Sequence, residues 1–102
     1  MTTTTANNEL ILRYEPQDED GLAAGDVQDV RLIVTDAMSP LQTLATMTPT
    51  ESGGVYSVST IDIAAEVGAG LYFRWWQLDI SGEGTRDEDK DVLWIKPSPA
   101  NG

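Results

Sequence analysis

Seventeen carboxylates are the chain's main chemical resource, and two clusters of them invite a metal-binding reading. Asp87, Asp89 and Asp91 have the spacing of the first three ligands of an EF-hand calcium loop. The position that must be glycine is Val92 and the closing glutamate position is Ser98, so the motif is incomplete and reads as a solvated hairpin tip. Asp18-Glu19-Asp20-Gly21 sets carboxylates beside a glycine, again without a full ligand set, and reads as a solvated acidic turn. A carboxylate pair would also serve a glycosidase. That chemistry needs two positioned groups in a cleft, and a chain of 102 residues has little room for one. There is no histidine and no cysteine. The usual general base, the usual zinc ligands, the Ser-His-Asp arrangement and the disulfide staple are removed together. The expectation is a protein that is not an enzyme and carries no metal or cofactor.

The second resource is aromatic. Gly70 to Ile80, Gly-Leu-Tyr-Phe-Arg-Trp-Trp-Gln-Leu-Asp-Ile, holds two of the three tryptophans. Glycines fence it on both sides (Gly68 and Gly70, then Gly82 and Gly84). An aromatic and branched run of this length, so bounded, predicts a β-strand. Taken alternately, one face carries Tyr72, Trp76, Leu78 and Ile80, interrupted by Arg74. The other carries Leu71, Phe73 and Trp75, then Gln77 and Asp79. Either Tyr72 with Trp76 or Phe73 with Trp75 supplies the core set, and a bulge at Trp75-Trp76 would reconcile the two. Phe73, Trp75 and one face of Val92 to Ile95, Trp94 included, are then the candidates to face outward as an interaction surface.

The remaining chain must position and cover that strand. Met1 to Asn8 is a Thr- and Asn-rich arm that alone buries nothing, so it is expected to be flexible. Thr2, Thr3, Thr4 and Thr5 are good strand formers, and the sharper reading has them order against a partner's sheet edge. Glu9 to Tyr14 predicts a first strand, ended by Pro16. Val27 to Asp36 alternates cleanly, with Val30, Leu32 and Val34 opposite Arg31, Ile33 and Thr35, as a half-buried strand does. Thr43 to Thr48 reads as a weaker strand with Leu44 and Met47 toward the core. Thr50 to Gly54 reads as a turn, and Val55 to Thr60 as a strand. Ile61 to Val67 predicts a single helical turn capped by Asp62 and stopped at Gly68. Ser81 to Asp91 reads as a long polar loop and Asp91 to Lys96 as the last strand, closed by Pro97 and Pro99.

Six or seven short strands with regular turn signals predict one all-β domain, a β-sandwich over residues 9–97, with a closed small barrel as competitor. Residues 1–8 would be a flexible arm and 98–102 a tail. The net charge of −11 repels phosphate and anionic lipid, so neither nucleic acid nor membrane is an expected partner. No secretory signal and no apolar run long enough to span a bilayer is visible, which reads as a soluble chain.

Three stretches occur in a familiar order: Val30-Arg-Leu-Ile-Val-Thr-Asp36, Glu51-Ser-Gly-Gly-Val-Tyr-Ser-Val58, and Gly70-Leu-Tyr-Phe-Arg-Trp-Trp76 with its glycine-bearing loop, acidic run and closing apolar strand. From about Val27 to Pro97 the chain resembles small immunoglobulin-like domains, and particularly the Ig-like accessory virion proteins of tailed bacteriophages. The likeness implies an Ig-like antiparallel sandwich of about seven strands. It implies a structural virion role, made in the host cytoplasm and carried on the particle, decorating or cementing the capsid through an aromatic patch and the N-terminal arm. The major capsid protein or another virion protein would be the partner, with a homo-oligomer on the shell also open. A neck or tail position fits the same likeness, and an Ig-like receptor- or carbohydrate-binding module is the alternative. Two departures matter. The inter-sheet cysteine pair of antibody-type domains is absent, and Arg74 sits where an apolar residue would be preferred.

Overall fold

The computed structural model describes residues 1–16, 26–38 and 42–97 of the chain. They form β1 (Thr2–Thr5), β2 (Ile11–Tyr14), β3 (Val27–Asp36), β4 (Thr43–Met47), β5 (Thr50–Ser52), β6 (Val55–Ser59), the helix α1 (Thr60–Val67), β7 (Gly70–Ile80) and β8 (Gly84–Lys96). Five strands pair in the order β1-β8-β7-β3-β4 and three in the order β2-β6-β5. The structure is thus mostly β in two sheets, as the alternating patterns predict, with eight strands among the described residues. The acidic turn at Asp18 to Asp20 and the tail at 98–102 lie outside those residues.

The larger sheet is built outward from β7, which pairs antiparallel with β3 on one side and β8 on the other. Its alternation is unbroken. Tyr72, Arg74, Trp76, Leu78 and Ile80 are buried, and the odd-numbered residues between them face the other way. Tyr72 with Trp76 therefore supplies the core set. Leu12 and Tyr14 of β2, Val58 of β6 and Ile63 of α1 close over the same side, joined by Val30, Leu32, Val34, Leu93 and Ile95. Trp76 is wholly buried and stacks on Tyr14, ring centroids 5.6 Å apart.

A bulge does occur beside Trp75, but in β8 rather than β7. Arg74 faces Asp91 and Trp76 faces Glu88, so two residues of β8, Asp89 and Lys90, oppose Trp75 alone. Asp89 takes a left-handed φ of 56°, a conformation that Asp tolerates better than most residues. The extra residue answers part of the problem set by Arg74, whose buried Nε is left without a partner. Its guanidinium, buried on the core face, donates through Nη1 to the Asp89 carbonyl at 3.2 Å and pairs through Nη2 with Asp91 at 3.5 Å. Asp91 also accepts from Thr2 Oγ1 at 3.3 Å and lies 3.2 Å from the N-terminal amine.

Several expectations are corrected. The arm expected to be flexible is the edge strand β1, which runs parallel to β8, so the larger sheet is not wholly antiparallel. Thr4 is buried and its hydroxyl donates to the Asn8 carbonyl at 3.1 Å, giving this polar segment an internal partner that composition does not reveal. The polar run expected as a loop is the first half of β8. It is held by the polar half of β7 through cross-strand pairs such as Gln77 Nε2 to Asp87 at 3.1 Å. Thr50–Ser52 is a strand, and only Gly53 and Gly54 turn, with φ of 59° and 85° suited to a two-residue hairpin. The helix runs two turns and is capped by Ser59, whose Oγ accepts from the Ile61 N–H at 3.2 Å. Asp62 instead lies in its first turn, where the helix dipole favours a negative charge. Gly68 ends the helix as expected, its N–H bonded to Ala64. Leu44 is 41% exposed because the β3–β4 register slips between Val34 and Thr35, passing over it.

The start of β7 is anchored by Tyr72, whose hydroxyl proton is shared between the carbonyls of Val67 at 2.8 Å and Gly68 at 2.9 Å. A Cβ on Gly70 would lie 2.9 Å from that oxygen. Tyr72→Phe should lower unfolding free energy by about 1 kcal/mol in urea titrations. Gly70→Ala should cost about 1–3 kcal/mol by overpacking, and less in the Tyr72→Phe background, where the oxygen it crowds is gone. Trp76→Ala should cost about 3–5 kcal/mol. Asp91 has a carboxyl held below its ordinary value of 3.8, chiefly by the Val92 N–H, then by the N-terminal amine and Arg74, against an opposing effect of burial. A depressed folded-state pKa gives stability that is present above the unfolded value and lost as pH falls through the folded one. The urea midpoint should therefore fall more steeply below about pH 4 for the wild type than for Asp91→Asn.

Candidate functional site

The odd-numbered residues of β7 turn their side chains away from the shared core, so Leu71, Phe73 and Trp75 form a column on the outer face of the larger sheet. The ladders set further apolar groups beside it. Ile33 of β3 pairs with Trp75, Val92 of β8 with Phe73, and Trp94 of β8 with Leu71. Exposure is concentrated at one end, where Leu71 is 44% and Trp94 41% accessible while Ile33 is buried. Phe73, Trp75 and Trp94, chosen from the sequence, are thus brought onto one face.

The threonines divide. Thr3 lies beside Trp94 and Thr5 beside Lys96, extending the outer face. Thr2 pairs with Leu93 and Thr4 with Ile95, both core residues, so Thr2 and Thr4 belong to the opposite side and leave the candidate set.

Two residues not chosen from the sequence complete the face. Lys90 Nζ stands 5.1 Å from the Phe73 ring centroid and 5.3 Å from that of Trp75. Lys96 Nζ stands 4.8 Å from the Trp94 ring. Each ammonium lies within cation–π range of a ring face. Lys96 follows from simple alternation out of Trp94. So does Lys90, which shares the parity of Val92 and Trp94; the bulge reverses the alternation only upstream of it, from Glu88 back.

Toward the Gly84 end the same face becomes a closed polar network. Arg31 forks onto Asp79 at 2.9 and 3.1 Å, pairs with Asp29 at 2.7 Å and donates through Nε to Gln77 at 2.8 Å. Hydrogen bonding to Arg31, with a smaller contribution from Thr85, holds the Asp79 carboxyl below its ordinary range. These groups satisfy one another. The carboxylates of the incomplete calcium motif are dispersed: Asp87 bonds Gln77 on the outer face, Asp91 serves Arg74 on the inner face, and Asp89 sits at the bulge. Among the described residues no three acidic side chains are grouped to hold a metal ion, and no helix is long and apolar enough to cross a membrane.

What this arrangement offers chemically is recognition: aromatic planes on a strand surface with two cations over them. No protein-family model, curated protein or solved structure matches this chain.

Proposed function

We propose that this chain is a structural interaction module on an immunoglobulin-like sandwich, and that it binds another virion protein of a tailed bacteriophage as a capsid decoration or cement protein. The observation that carries the reading is the gathering of Leu71, Phe73, Trp75 and Trp94 on one sheet face, exposed at its Leu71–Trp94 end. Exposed aromatic clusters of this kind supply the dominant contacts of protein interfaces.

Strand order supports the Ig-like part. With β2, β5 and β6 as strands B, D and E, the smaller sheet has the order B-E-D. With β3, β7 and β8 as C, F and G, the larger sheet contains C-F-G, to which β4 and β1 add at the two edges. Tyr72, near the start of strand F and bonded back to Val67 and Gly68, has the position and hydrogen bonds of the tyrosine corner of that architecture. Arg74 then stands two residues on, where antibody-type domains carry their second cysteine.

The virion setting rests on the resemblance of Val27 to Pro97, since this fold hosts many functions. In that setting the aromatic face docks on the shell, burying about 800 Å² per partner as an ordinary specific interface does. Repetition over a lattice adds avidity. The arm takes part by widening the face, since β1 is paired with β8 rather than projecting from the domain.

Purified protein should co-sediment saturably with expanded, undecorated phage heads. Trp94→Ser should weaken binding by about 2 kcal/mol or more while leaving the melting temperature within a few degrees of wild type. Absence of binding, or equal binding by the variant, would sink the reading. A thermal shift with oligosaccharides or calcium in place of head binding would favour the carbohydrate- or receptor-recognition module.

A further inference from the structure

Six cationic side chains stand against 17 carboxylates, so at long range the molecule attracts basic partners and repels acidic ones. The cations are not equivalent, however. Arg31, Arg74 and Arg86 are each engaged by carboxylates of the chain itself: Asp29 and Asp79, Asp89 and Asp91, and Glu88. Neither lysine forms an ion pair with a described residue. Lys90 rests over Phe73 and Trp75, and Lys96 over Trp94. An aromatic ring orients an ammonium and packs its stem, but leaves its charge uncancelled. Both lysines of the chain therefore lie on the candidate face, at its aromatic end, while the remaining cation, Arg13, is on the other sheet.

We infer that the aromatic face takes an acidic protein surface, with apolar side chains against Leu71, Phe73, Trp75 and Trp94 and carboxylates over Lys90 and Lys96. The inference rests on the reading of this face as a protein interface and adds the partner's charge. A partner that covers the rings also strips water from the two ammonium groups, and a desolvated charge must be met by an opposite one. A basic partner would press like charges together and is rejected locally, although the net charge of −11 draws it in. The other end of the face fixes the orientation. Asp29, Asp79 and Asp87 are already held by Arg31, Gln77 and Thr85, need nothing from a partner and repel its carboxylates. The partner's acidic groups are thus confined to the lysine end.

The full chain, labelled with nitrogen-15 in its tryptophan indoles, tests this with two synthetic peptides of equal length. One alternates glutamate with valine and the other lysine with valine. The glutamate peptide should shift the Trp94 and Trp75 indole resonances saturably and leave that of the buried Trp76 in place. The lysine peptide, favoured by net charge, should produce no saturable shift at either. The exposed-site double variant Lys90→Gln/Lys96→Gln should bind the glutamate peptide roughly five- to tenfold more weakly, with an unmoved Trp76 resonance reporting an intact fold. Shifts of Trp94 and Trp75 by the lysine peptide, a glutamate response unchanged in the double variant, or silence with both peptides would each overturn the inference. Co-sedimentation of the wild type and Trp94→Ser with heads judges the interface reading separately. Retained head binding alongside any of those peptide results would leave the interface standing and remove only its acidic partner.

Discussion

A strand that is apolar on both faces can give only one of them to the core of a two-sheet structure. β7 is such a strand through Trp76, and the choice it makes organises the rest of the molecule. The even-numbered side chains go inward, where Trp76 stacks on Tyr14 and meets β2, β6 and α1. That choice buries a guanidinium along with the aromatics, because Arg74 shares their face. A buried cation without partners is too costly to keep, so β8 must bring a carbonyl and carboxylates within its reach. The bulge at Asp89 and Lys90 does this. It delivers the Asp89 carbonyl to Arg74, beside Asp91, on one side of the sheet and reverses the alternation upstream, so that Asp87 faces outward to Gln77 on the other. The solution to a core problem thus shapes the outer surface.

How much of this the sequence carries depends on the range of the interaction involved. The bounds of β7 and β3 are legible because their alternation is local. Alternation does not say which face of β7 turns inward, and β3, expected to be half-buried, has Ile33 and Thr35 buried on its other face as well. The helix stop at Gly68 follows from an equally local signal, and the shared side of Phe73 and Trp75 from alternation within β7, whereas Trp94 joins them through the β7–β8 pairing. β8 is not legible in its first half, because Thr85 to Asp91 has the composition of a loop and becomes a strand only against the polar half of β7. The β1 pairing is hidden for the same reason, since four threonines say nothing about which edge will accept them. Leu44 misleads because a register slip, not its own hydrophobicity, sets its exposure. The side that Lys90 takes follows from its parity with Val92 and Trp94, but its ring partners on β7 are non-local.

The molecule consequently has two electrostatic characters at two distances. As another molecule comes within a Debye length, about 8 Å at physiological salt, it first meets the summed charge of −11, which disfavours contact between copies. At contact distance the arrangement of individual groups takes over. Three arginines are consumed by internal pairs that hold the sheet together, whereas the two lysines sit on rings that cannot neutralise them. Net charge therefore describes how the protein is carried through solution, and the lysine-bearing aromatic end describes what it would hold on arrival. A surface of this kind discriminates by proximity. An acidic partner must first overcome a repulsion that salt screens, and then gains pairs formed in a partly desolvated setting that salt screens much less. Added salt should act mainly on the encounter, and the close contacts should govern how long the complex lasts.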